Sequence, residues 1–328
     1  MALKRAAGHG RGKGGVAAAD LRRPRALRPG DRLAVVAPAS PCAEDAVRRG
    51  VVELETLGFE VTVDARVFAQ AGGYLAGEAA ARAAHLQEAF ADPGVAGIVC
   101  VRGGYGSAQI LPLLDAGAIA ATPKVFIGYS DITAVHTFLQ QHCGLVSFHG
   151  PMLEGRFADR TRYDRDSFVR AVSGTEPMGA VVPPSLEVWR AGEASGLLVG
   201  GTITQLASSL GTPWAFDPPA GCVLFFDEVN ERPYRLDRLL TQLIQAGVVG
   251  RASAIVFNEL PGCDEPGGEV RGVDAVRRVL DGFAGPIVGG FPSGHTPGAT
   301  VTLPFGVRAT VVARGRAALV IEEAAVAA

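Results

Sequence analysis

At 328 residues, with 48% hydrophobic and 20% charged side chains, the chain can fill the cores of two domains, which excludes general disorder. The net charge of −2 conceals an asymmetry, since residues 1–30 carry +7 and the remainder −9. Five widely spaced cysteines (Cys42, Cys100, Cys143, Cys222, Cys263) exclude a disulfide framework and a CxxC metal site, and no apolar run is long enough for a transmembrane helix.

Residues 1–25 read as a basic tail, rich in Gly and Ala and expected to be disordered. No continuous apolar segment follows its basic residues, as a secretory signal requires, and no aromatic residue precedes Phe59 to stack on nucleic-acid bases. The expected location is therefore the cytoplasm, with neither membrane nor nucleic acid as a partner.

From Arg28 onward, short apolar runs alternate with helical spacing. Leu33–Ala37 reads as a buried strand after the turn signal Pro29-Gly30-Asp31. Ala43–Leu57 reads as a helix stopped by Gly58, Glu60–Asp64 as a strand, Ala79–Ala91 as an Ala-rich helix and Gly97–Val101 as a third strand. Ala108–Leu114 looks helical despite Pro112, Lys124–Ile127 is a further strand, and Ile132–Gln141 is a helix. Such alternation implies a doubly wound, mostly parallel α/β sheet, with the ligand site at the carboxyl ends of its strands.

The charged, weakly periodic stretch 156–195 reads as a linker with outer elements between an N-terminal domain, 26–155, and a C-terminal one, 196–328. The latter is expected to be mixed α/β and β-rich, with strands Cys222–Phe226, Ala254–Phe257 and Pro286–Val288, helices Leu236–Gln245 and Val273–Phe283, and a β-rich end, Val307–Ile321.

Gly128-Tyr129-Ser130-Asp131 puts a serine on a strand-to-helix turn, where its hydroxyl projects from the sheet and the first helical amides can hold an oxyanion. A serine there also suits an N-cap. Arg102-Gly103-Gly104-Tyr105-Gly106-Ser107 ends another strand; it lacks the register of a nucleotide phosphate loop and can instead lend a backbone N–H to an oxyanion hole. A serine nucleophile needs a base and a carboxylate to orient that base. Among six histidines, His295 in a small-residue loop and His149 at a strand end can approach the serine. The acids cluster at Asp227-Glu228, where strand alternation lets only one of the two face a histidine. The other assignment for these acids is pairing with Arg232, Arg235 and Arg238.

Several segments together resemble the LD-carboxypeptidase family, which comprises muramoyltetrapeptide carboxypeptidases and microcin-immunity peptidases. They are Arg28–Asp31 with Val36–Ser40, Arg102–Ser107, Gly128–Asp131, Phe148-His-Gly-Pro-Met152, Gly211-Thr-Pro213, Glu231–Arg238, and Gly294-His295 with Leu303–Gly306. The resemblance implies a two-domain serine peptidase with Ser130 as nucleophile and His295 as base. The oxyanion is expected at the amides of Gly104 and Asp131, with Tyr129 and Thr202 as substrate contacts.

The family usually has Glu then Asp at the acid position. Here Asp227 precedes Glu228, so Asp227 aligns with the triad member and Glu228 is the second choice. Thr202 stands where the family has Asn. The implied reaction releases a C-terminal D-amino acid from a cytoplasmic murein tetrapeptide, without metal or other cofactor, in a homodimer. The sibling activity is hydrolysis of peptidyl or aminoacyl nucleotides, with Trp189 and Trp214 as stacking candidates. A non-catalytic peptide-binding protein is the alternative of another class.

Overall fold

The computed structural model describes residues 21–328. In chain order its strands are β1 (Arg32–Val36), β2 (Glu60–Val63), β3 (Val95–Cys100), β4 (Val125–Gly128), β5 (Ser147–His149), β6 (Gly179–Val181) and β7 (Glu187–Arg190). They continue with β8 (Gly192–Thr202), β9 (Cys222–Asp227), β10 (Ala252–Asn258), β11 (Ile287–Phe291), β12 (Leu303–Phe305), β13 (Arg308–Ala313) and β14 (Ala318–Ile321).

Two sheets result. The first runs β12-β5-β4-β3-β1-β2 and is parallel except at β12, which pairs antiparallel with β5. The second runs β6-β14-β13-β8-β9-β10-β11-β7, with parallel β8 to β11 at its centre and antiparallel strands on both flanks. The fold is thus α/β, with a doubly wound parallel sheet joined to a mixed, β-rich one.

Side-chain alternation explains why both sheets are covered on both faces. In β9, Val223 and Phe225 join a core that also contains Leu33, Val35, Val99, Ile127 and Phe148 of the first sheet. Their neighbours Leu224 and Phe226 point the other way, onto Leu236, Leu240 and Leu243 of the helix Pro233–Gln245. On the outer face of the first sheet, Ile98, Cys100 and Phe126 meet the helices Ala79–Ala91 and Thr133–Cys143. One shared core therefore backs both sheets.

The structure corrects parts of the expected organisation. Residues 1–20 of the basic tail lie outside the described residues, but Arg22 pairs with Leu145 and Arg25 with Ala327, so 21–25 is seated against the body. The outer elements expected in 156–195 are integral to the fold. The helix Arg165–Ser173 buries Phe168, Ala171 and Val172 in the shared core, and β6 and β7 form both edges of the second sheet. Finally, β12 returns from the C-terminal part to the first sheet. Pro112 converts the end of the short helix Ser107–Ile110 into a 3-10 turn, Leu111–Leu113.

Candidate active site

Ser130 follows β4 after one residue and opens a 3-10 turn, Ser130–Ile132, which runs into the helix Thr133–Cys143. Its φ of 67° lies in the left-handed region, uncommon for a side chain with a Cβ. The sharp turn also needs Gly128, where a Cβ would stand 2.8 Å from Ile132 Cγ2. The loop after β3 comes equally close: a Cβ on Gly103 would stand 2.9 Å from Ser130 Oγ and 3.1 Å from the Asp131 nitrogen.

Gly103 is therefore the glycine that faces Ser130. The Cβ direction of Gly104, by contrast, is blocked by Ser40 Oγ. The Gly103 carbonyl accepts from the Ser40 amide at 3.2 Å, so across the trans peptide the Gly104 N–H is directed away from Ser40. The Asp131 amide, in the first turn of its helix, has no intrahelical acceptor. Its side chain is buried and accepts from the Ser107 amide at 2.7 Å, and burial raises its carboxyl above the ordinary value.

Asp227 ends β9 with its side chain fully buried. His295 Nδ1 lies 2.8 Å from Asp227 Oδ2, and the His295 amide donates to Oδ1 at 2.9 Å. Asn258 Nδ2 donates to Oδ1 at 2.7 Å and Thr202 Oγ1 to Oδ2 at 3.1 Å. Burial alone would raise the Asp227 carboxyl, but the charge and hydrogen bond of His295, together with the nearby His149 ring, outweigh it and hold the group far below the usual carboxylate range. Conversely, burial works to lower His295, and the Asp227 charge overrides it to give a raised value. With Nδ1 engaged, Nε2 is the ring nitrogen left for proton transfer.

Glu228 turns the other way, as strand alternation requires. Its Oε2 accepts from the Thr204 amide at 2.8 Å and hydroxyl at 2.7 Å, and burial pushes its carboxyl up to about 7. Neither acid pairs with the nearby arginines among the described residues: Arg235 meets Glu231 at 3.5 Å and Arg232 meets Glu265 at 2.7 Å.

Tyr129, the neighbour of Ser130, sets its ring edge-on to His295 with centroids 5.1 Å apart, so the serine turn and the histidine loop converge from the two sheets. Thr202 is buried, its hydroxyl committed to Asp227 and its amide to Thr133 Oγ1 at 3.0 Å; it stands behind the acid. Trp189 stacks on Phe257 at 5.4 Å as core packing. Trp214 is half-buried against the outer helices of the first sheet.

Asn258 and Arg156 carried no signal that sequence reading used, whereas His149 was the other strand-end histidine expected near the serine. Asn258 bridges Asp227, the Glu228 carbonyl at 3.2 Å and the His295 carbonyl at 2.7 Å. Its position at the end of the apolar run Ala254–Phe257 was the available clue. His149 is fully buried, with Nδ1 3.1 Å from Ser293 Oγ and Nε2 3.8 Å from Asp227 Oδ2, beyond hydrogen-bond reach. Arg156, buried in the Leu153–Phe157 turn, binds carbonyls of the His295 loop.

Family models match in both halves of the chain. That of the LD-carboxypeptidase N-terminal domain matches residues 33–150 and that of the C-terminal domain residues 195–311. The chain is 35% identical over 303 residues to a protein of Bacillus subtilis named probable murein peptide carboxypeptidase, covering 88% of this chain and 91% of that one. It is 34% identical over 278 residues to the murein tetrapeptide carboxypeptidase of Pseudomonas aeruginosa, covering 80% and 88% respectively. Among solved structures, the muramoyltetrapeptide carboxypeptidase of Oxalobacter formigenes superposes with a TM-score of 0.78 at 28% identity, covering 89% of this chain and 99% of that one.

Proposed function

The chain belongs to the LD-carboxypeptidase family, and from that premise we propose that it is a serine-type peptidase releasing the C-terminal D-alanine of a murein tetrapeptide. The observation that carries this reading is the 2.8 Å contact between His295 Nδ1 and Asp227 Oδ2 beside the left-handed Ser130 turn. In the proposed reaction Ser130 Oγ attacks the carbonyl of the L,D-type bond while His295 Nε2 takes its proton. Asp227 fixes the tautomer and stabilises the imidazolium. The amides of Asp131 and Gly104 receive the oxyanion, a term worth about 3–4 kcal/mol per donor in comparable sites. His295 then protonates the leaving D-alanine amine, the acyl-serine forms, and water activated by the same imidazole releases the tripeptide.

A cytoplasmic location and a homodimer complete the reading. Among the described residues, no helix is long and apolar enough to cross a membrane.

The test is mass spectrometry of products after incubation with the tetrapeptide and, in parallel, with an aminoacyl-adenylate analogue. D-alanine release by the wild type, lost in Ser130→Ala and in His295→Ala, is the expected result. Preferential cleavage of the nucleotide conjugate would replace the substrate assignment with the immunity-type activity. Binding without turnover would overturn the enzyme reading.

A further inference from the structure

Arg156 is 3% exposed, yet among the described residues it takes part in no ion pair. Its donors are spent on carbonyls instead. Nη2 donates to Gly294 O and Thr296 O, both at 2.8 Å, and Nη1 to Gly298 O at 2.8 Å and Arg162 O at 3.1 Å. Three of these four acceptors belong to the loop that carries His295, on both sides of the imidazole.

The turn holding Arg156 belongs to the other half of the structure. The Glu154 amide donates to the Val101 carbonyl, just beyond β3, at 2.8 Å, and Leu153 packs so closely on Gly50 that a Cβ there would stand 2.7 Å from its Cδ2. Gly155, at φ 91°, turns the chain so that the next side chain can reach inward. The guanidinium also lies 6.0 Å from the centroid of Tyr129, the neighbour of Ser130. A planar fork suits such multiple carbonyl acceptance, and an ammonium does not reproduce it.

We propose that Arg156 is a positioning residue that fastens the His295 loop to the nucleophile's sheet and places an unneutralised positive charge beside the imidazole. This inference rests on the peptidase reading for its kinetic consequences and on geometry for the rest. The groups that face His295 are Asp227 at the end of β9, Tyr129 from the serine turn, and Arg156, while Glu228, turned to the other face, acts on it only through its charge. His149 lies beyond Asp227, and Glu259 meets the neighbouring Thr296. Asp227 and Glu228 favour the imidazolium, whereas the Arg156 charge opposes it. Removing that charge strengthens proton binding at His295, so the acid limb of kcat/KM moves to higher pH.

Arg156→Lys and Arg156→Met separate the two effects. Both variants lose the fork, and kcat should fall about 10- to 100-fold with KM changed by less than about threefold. Only Arg156→Met loses the charge, so only there should the acid limb rise, by about half a unit to one unit. The same displacement should appear in the NMR titration of the His295 ring protons, which needs no turnover.

Wild-type kcat in both variants, or identical His295 titrations in all three proteins, would overturn the proposal. So would collapse of the fold in both variants, because the role assigned is local to the loop. If the wild type shows no turnover sensitive to Ser130→Ala, the peptidase reading fails, and the NMR titration still decides the role of Arg156.

Discussion

Asn258 donates its side-chain amide to Asp227 Oδ1 at 2.7 Å, so the carboxylate that meets His295 is itself held by the neighbouring strand. The same side chain accepts from the amides of Glu228 at 3.2 Å and Leu260 at 3.1 Å. It thus ties the ends of β9 and β10 to the His295 loop. Asn258→Ala leaves a fully buried carboxylate with one donor fewer and two backbone amides without acceptors. Thermal unfolding should show a loss of about 2–4 kcal/mol, and kcat for D-alanine release should fall by about tenfold or more. Wild-type kcat in a folded Asn258→Ala protein would show that Asp227 needs no such support.

The order of Asp227 and Glu228 yields a sharper test. Only Asp227 reaches His295, whereas Glu228 is bonded to Thr204. Asp227→Asn should lower kcat by about 10²- to 10⁴-fold, since the amide can present the wrong group to Nδ1. Glu228→Gln should stay within about tenfold of the wild type, because the amide can still accept from the Thr204 amide. Steady-state kinetics on the tetrapeptide decides this, and a larger loss for Glu228→Gln would reassign the acid.

The two glycines of the loop after β3 should respond differently. A methyl on Gly103 would stand 2.7 Å from Ser130 Cβ and 2.9 Å from its Oγ, so Gly103→Ala displaces the hydroxyl directly. Turnover should drop by about 10²-fold, with less change in melting temperature than for Gly104→Ala. Gly104 has φ 97° and its Cβ direction is occupied by Ser40, so Gly104→Ala should cost about 1–3 kcal/mol of stability. Melting curves and kcat measured on both variants separate the two effects.

Much of this architecture was legible from local pattern. Apolar runs closed by turn residues marked β1, β3 and β4 of the first sheet and β9, β10 and β11 of the second, though not β8, and the helix Ala79–Ala91 has the bounds its spacing predicts. Pairings between distant segments were not legible. β12 carries Pro304 and joins the first sheet only because β5 lies open at its edge, and no local period encodes that. The half-exposed edge strands β6 and β7 lack the alternation that reveals a buried strand. Strand ends and small-residue loops, where an α/β sheet exposes chemistry, made Ser130, the Asp227-Glu228 pair, His149 and His295 candidates, and the family resemblance chose among them. Arg156 was hidden inside a charged stretch, and its partners lie up to 142 residues away.

Glu228 should make stability depend on pH in a direction opposite to most carboxylates. Its folded value of about 7 lies above the ordinary 4.5, so between those limits the folded state binds more protons than the unfolded chain. Stability is therefore full below about pH 4.5 and declines as pH rises through about 7, by a few kcal/mol for a shift of this size. Asp227 acts in the other window: its depressed value adds stability above the ordinary carboxylate range, lost as pH falls through it. His295, raised above 6.5, also gives up stability as pH rises through its folded value, so the wild-type slope alone cannot isolate Glu228. Comparison with Glu228→Gln can, because the variant keeps His295 and Asp227 and removes one titration. Urea unfolding at pH 5 and pH 8 should show the variant gaining on the wild type as pH rises. An equal difference at the two pH values would mean that Glu228 is ionised throughout and that its burial is compensated by the Thr204 hydrogen bonds.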